Sequence, residues 1–244
     1  MLHIPVLVLG VAATIAFLIL RVKKGGLPAA VAKTCASVMF VLTGIAAAMD
    51  SMPYFKEPVI GLSKFNPWVM LFIAGLVCAV LGDLFLDLKY TYLEDSDAHT
   101  FLGFSFFIAT QVFYFMAMQN VFLWKNDPKF IYIPFGVAVI FVLCVIFGEK
   151  KILKVTFGKF KAISAVYSGI LSFTTAFAVC CMISSGFKPG AIMVAVGEVL
   201  FLISDLILSG TYFGVGKNTK KDVILNHVFY YAAQFVISAA IAQI

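Results

Sequence analysis

Apolar residues in this chain come in long, nearly unbroken runs, not in the short alternations of half-buried helices and strands. Eight runs stand out, at about residues 3–20, 29–49, 67–86, 101–119, 130–147, 162–183, 190–209 and 223–243. A helix needs about 20 apolar residues to cross a bilayer, and each run reaches or approaches that length. In hydrocarbon every backbone N–H and C=O must be satisfied within the segment, so such runs form helices. The pattern therefore predicts an all-α fold: one transmembrane bundle of about eight spans, filling residues 1–244 as a single domain. The separators agree. Gly25-Gly26-Leu27-Pro28, Asn66-Pro67, Asn126-Asp127-Pro128 and Lys188-Pro189-Gly190 all carry turn chemistry. Trp124 and Tyr132 flank the least distinct boundary and read as interfacial aromatics. The first run has no basic segment before it and is followed by Arg21, Lys23 and Lys24, so it reads as a retained span.

Composition removes the soluble alternative. The chain is 62% hydrophobic and 12% charged, against about 25% charged in soluble domains. Its net charge of +6 does not point to nucleic acid, because the basic residues sit almost entirely in the connections between runs. Connections after the odd-numbered spans hold 12 Lys and Arg, and those after the even-numbered spans hold 5. The positive-inside rule then puts the first set in the cytoplasm and both termini on the opposite side. Lys150, Lys151, Lys154, Lys159 and Lys161 weigh most in that count and also offer contacts to lipid phosphates. All five cysteines lie within apolar runs without CxxC spacing, so they read as small buried residues, with neither disulfides nor a metal site expected. Glu94, Asp95 and Asp97 form an acidic connection without calcium-loop spacing. His3 and His99 read as terminus and loop residues.

Against this background the polar groups inside the runs carry the chemical information. Asp83 sits about one turn inside the end of the third run, where a carboxylate costs roughly 2.5–3.5 kcal/mol on insertion-based scales. Packing alone does not require an acid there. Asp205 holds the equivalent place in the seventh run. Lys33 opens the second run, His227, Tyr230 and Tyr231 lie in the first half of the eighth, and Gln234 lies near its middle. Alternating span directions bring Asp83, Asp205, Lys33 and His227 to one leaflet, so a shared cavity is expected. Gln111 and Tyr114 in the fourth run lie deeper. Glu198 precedes Asp205 by two helical turns on one stripe, about 10 Å deeper, and reads either as a cavity-lining residue or as a protonated structural acid. Asp87, one turn beyond Asp83, reads as a solvated helix end.

The chain also echoes itself. Gly82-Asp83-Leu84 matches Ser204-Asp205-Leu206, Gln111-Val112-Phe113-Tyr114 matches His227-Val228-Phe229-Tyr230, and Lys33 matches Lys161. The spacing suggests a parallel duplication of two four-helix halves, which would turn Asp83 and Asp205 towards each other. Small residues at Gly44, Ala46, Ala47 and Ala48 suit close helix packing, within one chain or across a homodimer. There is no P-loop, HExxH or GxSxG. The residues alone leave open a hydrolytic site and a proton-coupled transporter of lipid or small solute; an intramembrane aspartic protease lacks its expected dipeptides.

At Lys33, Gly82-Asp83, Phe101-Leu102-Gly103, Ser204-Asp205 and Tyr230-Tyr231-Ala232-Ala233-Gln234 the sequence resembles the lysoplasmalogenase family of integral membrane proteins, also called the YhhN family. The resemblance runs in order along nearly the whole chain. Two positions depart from it: Thr34 stands where a Pro often follows the lysine, and Gln111 replaces the histidine of a His-x-x-Tyr motif, with Tyr114 retained. Glutamine hydrogen-bonds but does not titrate near neutral pH, which makes His227, at the echoing position, the candidate replacement. A catalytically silent lipid-binding relative is the corresponding alternative. The resemblance implies hydrolysis of the vinyl ether bond of lysoplasmalogens to a fatty aldehyde and a glycerophospho-base, with a lysophospholipid as partner and no cofactor. Asp83 and Asp205 would then be the acid/base pair. Lys33 would bind phosphate, and Gln111, Tyr114, Glu198, His227, Tyr230, Tyr231 and Gln234 would line or orient the substrate.

Overall fold

The computed structural model describes residues 1–51, 66–122, 129–216 and 218–244. Within them the expected spans are eight helices: α1 (His3–Lys23), α2 (Gly26–Ser51), α3 (Pro67–Leu88), α4 (Ser96–Val121), α5 (Lys129–Gly148), α6 (Lys161–Ser184), α7 (Pro189–Phe213) and α8 (Lys220–Ala240). All eight positions are long and apolar enough to cross a membrane, and the chain is a multi-pass membrane protein. Most helices run slightly past their apolar runs, because backbone hydrogen bonding continues into the interface. Arg21 and Lys23 in the last turn of α1 complement the negative end of its dipole. Pro67 and Pro189 open α3 and α7 at a position whose N–H has no helical partner. Thr219 and Asp222 close α8 with a reciprocal capping box. Trp124 and the Asn126-Asp127-Pro128 turn lie outside the described residues; Tyr132 is exposed.

Packing follows a repeating order. α1 pairs with α2, α3 with α4, α5 with α6 and α7 with α8; α2–α3 and α6–α7 link the pairs, and α4–α6 and α8–α2 join the halves. Six helices, α2-α3-α4-α6-α7-α8, thus form a closed circuit, with α1 outside against α2 and α5 outside against α6. The order has a four-helix period, as a parallel duplication requires. α1 and α5 bury only 22% and 11% of their spanning windows, against 61% for α8. Their exposed Val8, Leu9, Ile15, Phe135, Ile140 and Phe147 face the surroundings that suit them, the hydrocarbon of the bilayer.

Glycines set the closest approaches. A Cβ on Gly75 would stand 2.5 Å from the Tyr114 ring, and one on Gly82 would stand 2.9 Å from Phe107. The α3–α4 pair therefore depends on bare backbone at both places. Gly44 packs on Leu76, Ile241 and Ser238, and Ala46, Ala47 and Ala48 are buried, so that small-residue stripe is used within the chain. The cysteines are free; Cys180 and Cys181 are buried, but Cys35 is exposed, contrary to the uniform burial its apolar run suggested. An apolar run is not a buried run in a membrane, where one helix face can meet lipid. The C-terminal ends of α1, α3 and α7 and the N-terminal ends of α2 and α8 meet at one face of the bundle. The polar groups are gathered there.

Candidate active site

The Gly82-Asp83 pair has a steric cause. Gly82 lets the Phe107 ring of α4 lie against α3, and Phe107 then walls the space into which Asp83 projects. Asp83 is buried and accepts from three donors on two helices. Ser37 Oγ is 2.6 Å and Tyr230 Oη 2.7 Å from Oδ2, and Lys33 Nζ is 3.0 Å from Oδ1. Tyr231 ties the same region together. Its hydroxyl donates to the Lys33 carbonyl at 3.1 Å and lies 3.0 Å from Ser37 Oγ.

Asp87 is not the solvated helix end expected of it. It is buried, pairs with Arg21 of α1, and lies 3.4 Å from Lys33 Nζ. The result is a line of alternating charge, Arg21–Asp87–Lys33–Asp83, across three helices. Its physical reason is that buried charges persist only when paired. α1 brings Arg21 back over α3, a contact that distance from the hydrocarbon edge does not reveal. Arg21, read from sequence only as a topology signal, is therefore part of the site.

Asp205 reaches the same space from the opposite half. Ser204 before it donates to the Asn226 carbonyl oxygen at 3.1 Å and to Asn226 Oδ1 at 2.7 Å, fastening α7 to α8. Asp205 accepts from Tyr167 of α6, a residue the sequence did not single out. Asp83 and Asp205 both line one cavity of about 210 Å³, together with Arg21, Lys33, Tyr230 and His227. The expected convergence of two aspartates from separate helices is present. His227 packs on Phe17, with ring centroids 5.0 Å apart. Its Nδ1 lies 2.7 Å from the Val223 carbonyl, an acceptor only, so Nδ1 carries the hydrogen.

The other expected site residues lie below this cavity. Tyr114 donates to Gln234 Oε1 at 2.7 Å, and both are fully buried. Gln111 and Glu198 are also fully buried and neighbour each other. None of these four lines the cavity, and Tyr231 touches it only through Lys33 and Ser37. An aromatic layer intervenes: Phe201 packs edge-on to Tyr230 and Phe107, with centroids 5.5 and 6.0 Å away.

Residues 30–241 match the YhhN family. The chain belongs to the YhhN family. No curated protein and no solved structure matches it. The match takes in Lys33, Asp83, Asp87, Asp205 and Tyr230, whereas Arg21 precedes it. Both departures from the YhhN pattern fall away from the cavity. Thr34 turns its hydroxyl to the Ala30 carbonyl at 3.0 Å within α2. Gln111 sits beneath the aromatic layer beside Glu198, so the replaced histidine position does not border the two aspartates.

Just beyond α3, Lys89 Nζ stands 3.0 Å from the centroid of the Tyr212 ring. Burial, and then repulsion from Lys33, push its ammonium down to about 7 against the attraction of Asp87. Tyr212 lines the cavity, so this cation–aromatic pair stands beside it.

Proposed function

We propose that this YhhN protein is a lysoplasmalogenase-like ether hydrolase, with Asp205 as general acid and Asp83 as the carboxylate that activates water. The reading rests on one observation: two aspartates with unlike partners line one cavity. Asp83 faces a cation and two hydroxyl donors, partners that suit a carboxylate receiving a proton from water. Asp205 accepts from the Tyr167 hydroxyl and is suited to carry a proton.

A vinyl ether is activated by protonation at the carbon beyond the ether-bearing one. Asp205 gives that proton, and the ether-bearing carbon becomes an oxocarbenium ion. The negative Asp83 lowers the energy of this cation and takes a proton from the attacking water. The hemiacetal then collapses: Asp83 returns its proton to the departing glycerol oxygen, and the hemiacetal hydroxyl returns one to Asp205. Fatty aldehyde and glycerophospho-base leave, and both acids regain their starting states. Paired carboxylates serve the related oxocarbenium chemistry of glycosidases. Arg21 and Lys33 supply positive charge for the phosphate. The loop charges favour a cytoplasmic position for the cavity face, with both termini on the other side.

The test is aldehyde release from purified protein given lysoplasmenyl-ethanolamine or -choline. Asp83→Asn and Asp205→Asn should each lower turnover about a hundredfold or more, the usual scale for loss of acid or base catalysis. Wild-type turnover in both variants would refute the assigned roles. Lipid flux across vesicles without aldehyde would assign the aspartates to proton-coupled transport instead.

A further inference from the structure

A second cavity adjoins the first. It is a groove of about 240 Å³ walled by α5, α6 and α7, through apolar residues such as Cys144, Val145, Leu171, Leu202 and Leu206. Asp205, Leu208 and Tyr212 line both spaces. The groove belongs to the leaflet of the polar cavity, because it is built from the later part of α5, the early part of α6 and the later part of α7. Ile140 and Leu206 on its rim are 60% and 47% exposed, and α5 is the least buried helix, so its open side meets lipid.

We propose that this groove seats the hydrocarbon chain of a single-chain phospholipid whose head lies in the polar cavity. The occupant follows from the adjacency of the two spaces, which share Asp205, Leu208 and Tyr212 as lining. A molecule filling both must be apolar along α5–α7 and anionic beside Arg21 and Lys33, with its change of character at Asp205. A lysophospholipid has that layout. The inference rests on the proposed reaction and deepens it, because the first carbons of the chain then lie against Asp205, where a vinyl ether must be protonated. Tyr167 joins the two functions: it forms part of the groove wall and donates to Asp205. Bilayer tails are as apolar as the groove, so leaving lipid for it brings little hydrophobic gain. The groove acts by register and exclusion.

The experiment uses the full chain in nanodiscs and a non-cleavable hexadecyl ether lysophospholipid with a diazirine at the chain end. Photolabelling should concentrate on α5–α7 and be lost in Cys144→Trp, which fills the groove, while Cys144→Ala keeps it. Label spread over α1 and the remaining lipid-facing surface, unchanged by Cys144→Trp, would overturn the proposal. If Cys144→Trp fails to fold, Leu206→Trp on the exposed rim takes its place. With cleavable substrates, filling the groove should lower kcat/KM for a hexadecenyl chain relative to an octenyl chain by about tenfold or more. An unchanged ratio counts against the groove. If wild-type protein cleaves neither substrate, the reaction is wrong, and the labelling pattern still decides the groove on its own.

Discussion

Asp87 gives the sharpest test of the charge line. Asp87→Ala leaves the Arg21 guanidinium, 14% exposed, without its anion and leaves Lys33 with Asp83 alone. Removing one member of a buried pair costs about 3–5 kcal/mol, because the other charge stays desolvated. For a chain of this size each kcal/mol moves the midpoint by about 2–4 °C, so a drop of roughly 6–20 °C is expected. The free cysteines, two of them buried, allow a thiol-reactive dye to follow unfolding. The scan rate must be held fixed where unfolding is irreversible. The double variant Arg21→Met/Asp87→Leu keeps Lys33–Asp83 and should recover most of the loss, since an apolar pair replaces an ionic one at little cost. A solvated acid behaves differently: its replacement stays within about 0.5 kcal/mol. A shift of under about 2 °C for Asp87→Ala would therefore refute the buried line.

Other outcomes follow from single features. Gly82→Leu should force Phe107 off α3, lowering stability by about 1–3 kcal/mol in the same melt; a neutral result would mean the α3–α4 contact is looser than described. Unfolded, Lys89 holds its proton up to its ordinary 10.5, but in the folded protein it releases it near 7. Between those values the unfolded state binds more protons, so this residue makes stability rise with pH. Melting curves from pH 7 to 10 should rise less in Lys89→Met than in wild type, and parallel curves would contradict the assignment. A tag at the N-terminus should be shielded from protease in right-side-out cytoplasm-filled vesicles only if that terminus is cytoplasmic, so the loop charges predict digestion from outside.

What could be read from the sequence depended on how local its cause was. The spans were legible because a bilayer imposes length on every apolar run. Asp83 and Asp205 were legible because an acid inside such a run is costly at that place, whatever surrounds it. Asp87 was not, because its burial depends on Arg21, a residue 66 positions away on a helix that could have packed elsewhere. Tyr167 escaped notice for a related reason: a tyrosine in a span usually packs or anchors, and only its bond to Asp205 distinguishes it. Glu198 shares a helical stripe with Asp205, yet Phe201 between them in sequence joins the aromatic layer that closes the cavity above it. Periodicity gives a face; it does not say where along that face the space ends.

The four-helix period of the packing matches the likeness of the two aspartates, and their division of labour in the proposed reaction comes from where that period breaks. A repeat alone would give each aspartate the same neighbours. The helices do repeat, but the cations do not follow. Lys33 is buried between Asp83 and Asp87, whereas its counterpart Lys161 stands at the half-exposed start of α6 and pairs with Glu149, 3.4 Å away. On the same register Ser37, a donor to Asp83, corresponds to Ala165, and the hydroxyl that reaches Asp205 comes instead from Tyr167. Among the described residues, one half thus pairs a cation with its aspartate and the other does not. Two related carboxyl groups in one cavity then differ in how strongly their negative charge is supported, the condition acid–base catalysis needs for one to hold a proton while the other accepts one. Moving the cation should move the roles. Lys33→Met leaves Asp83 with only hydroxyl donors, and the pH–rate profile should lose the separation between its acidic and basic limbs; a profile of unchanged width would place the origin of the asymmetry elsewhere.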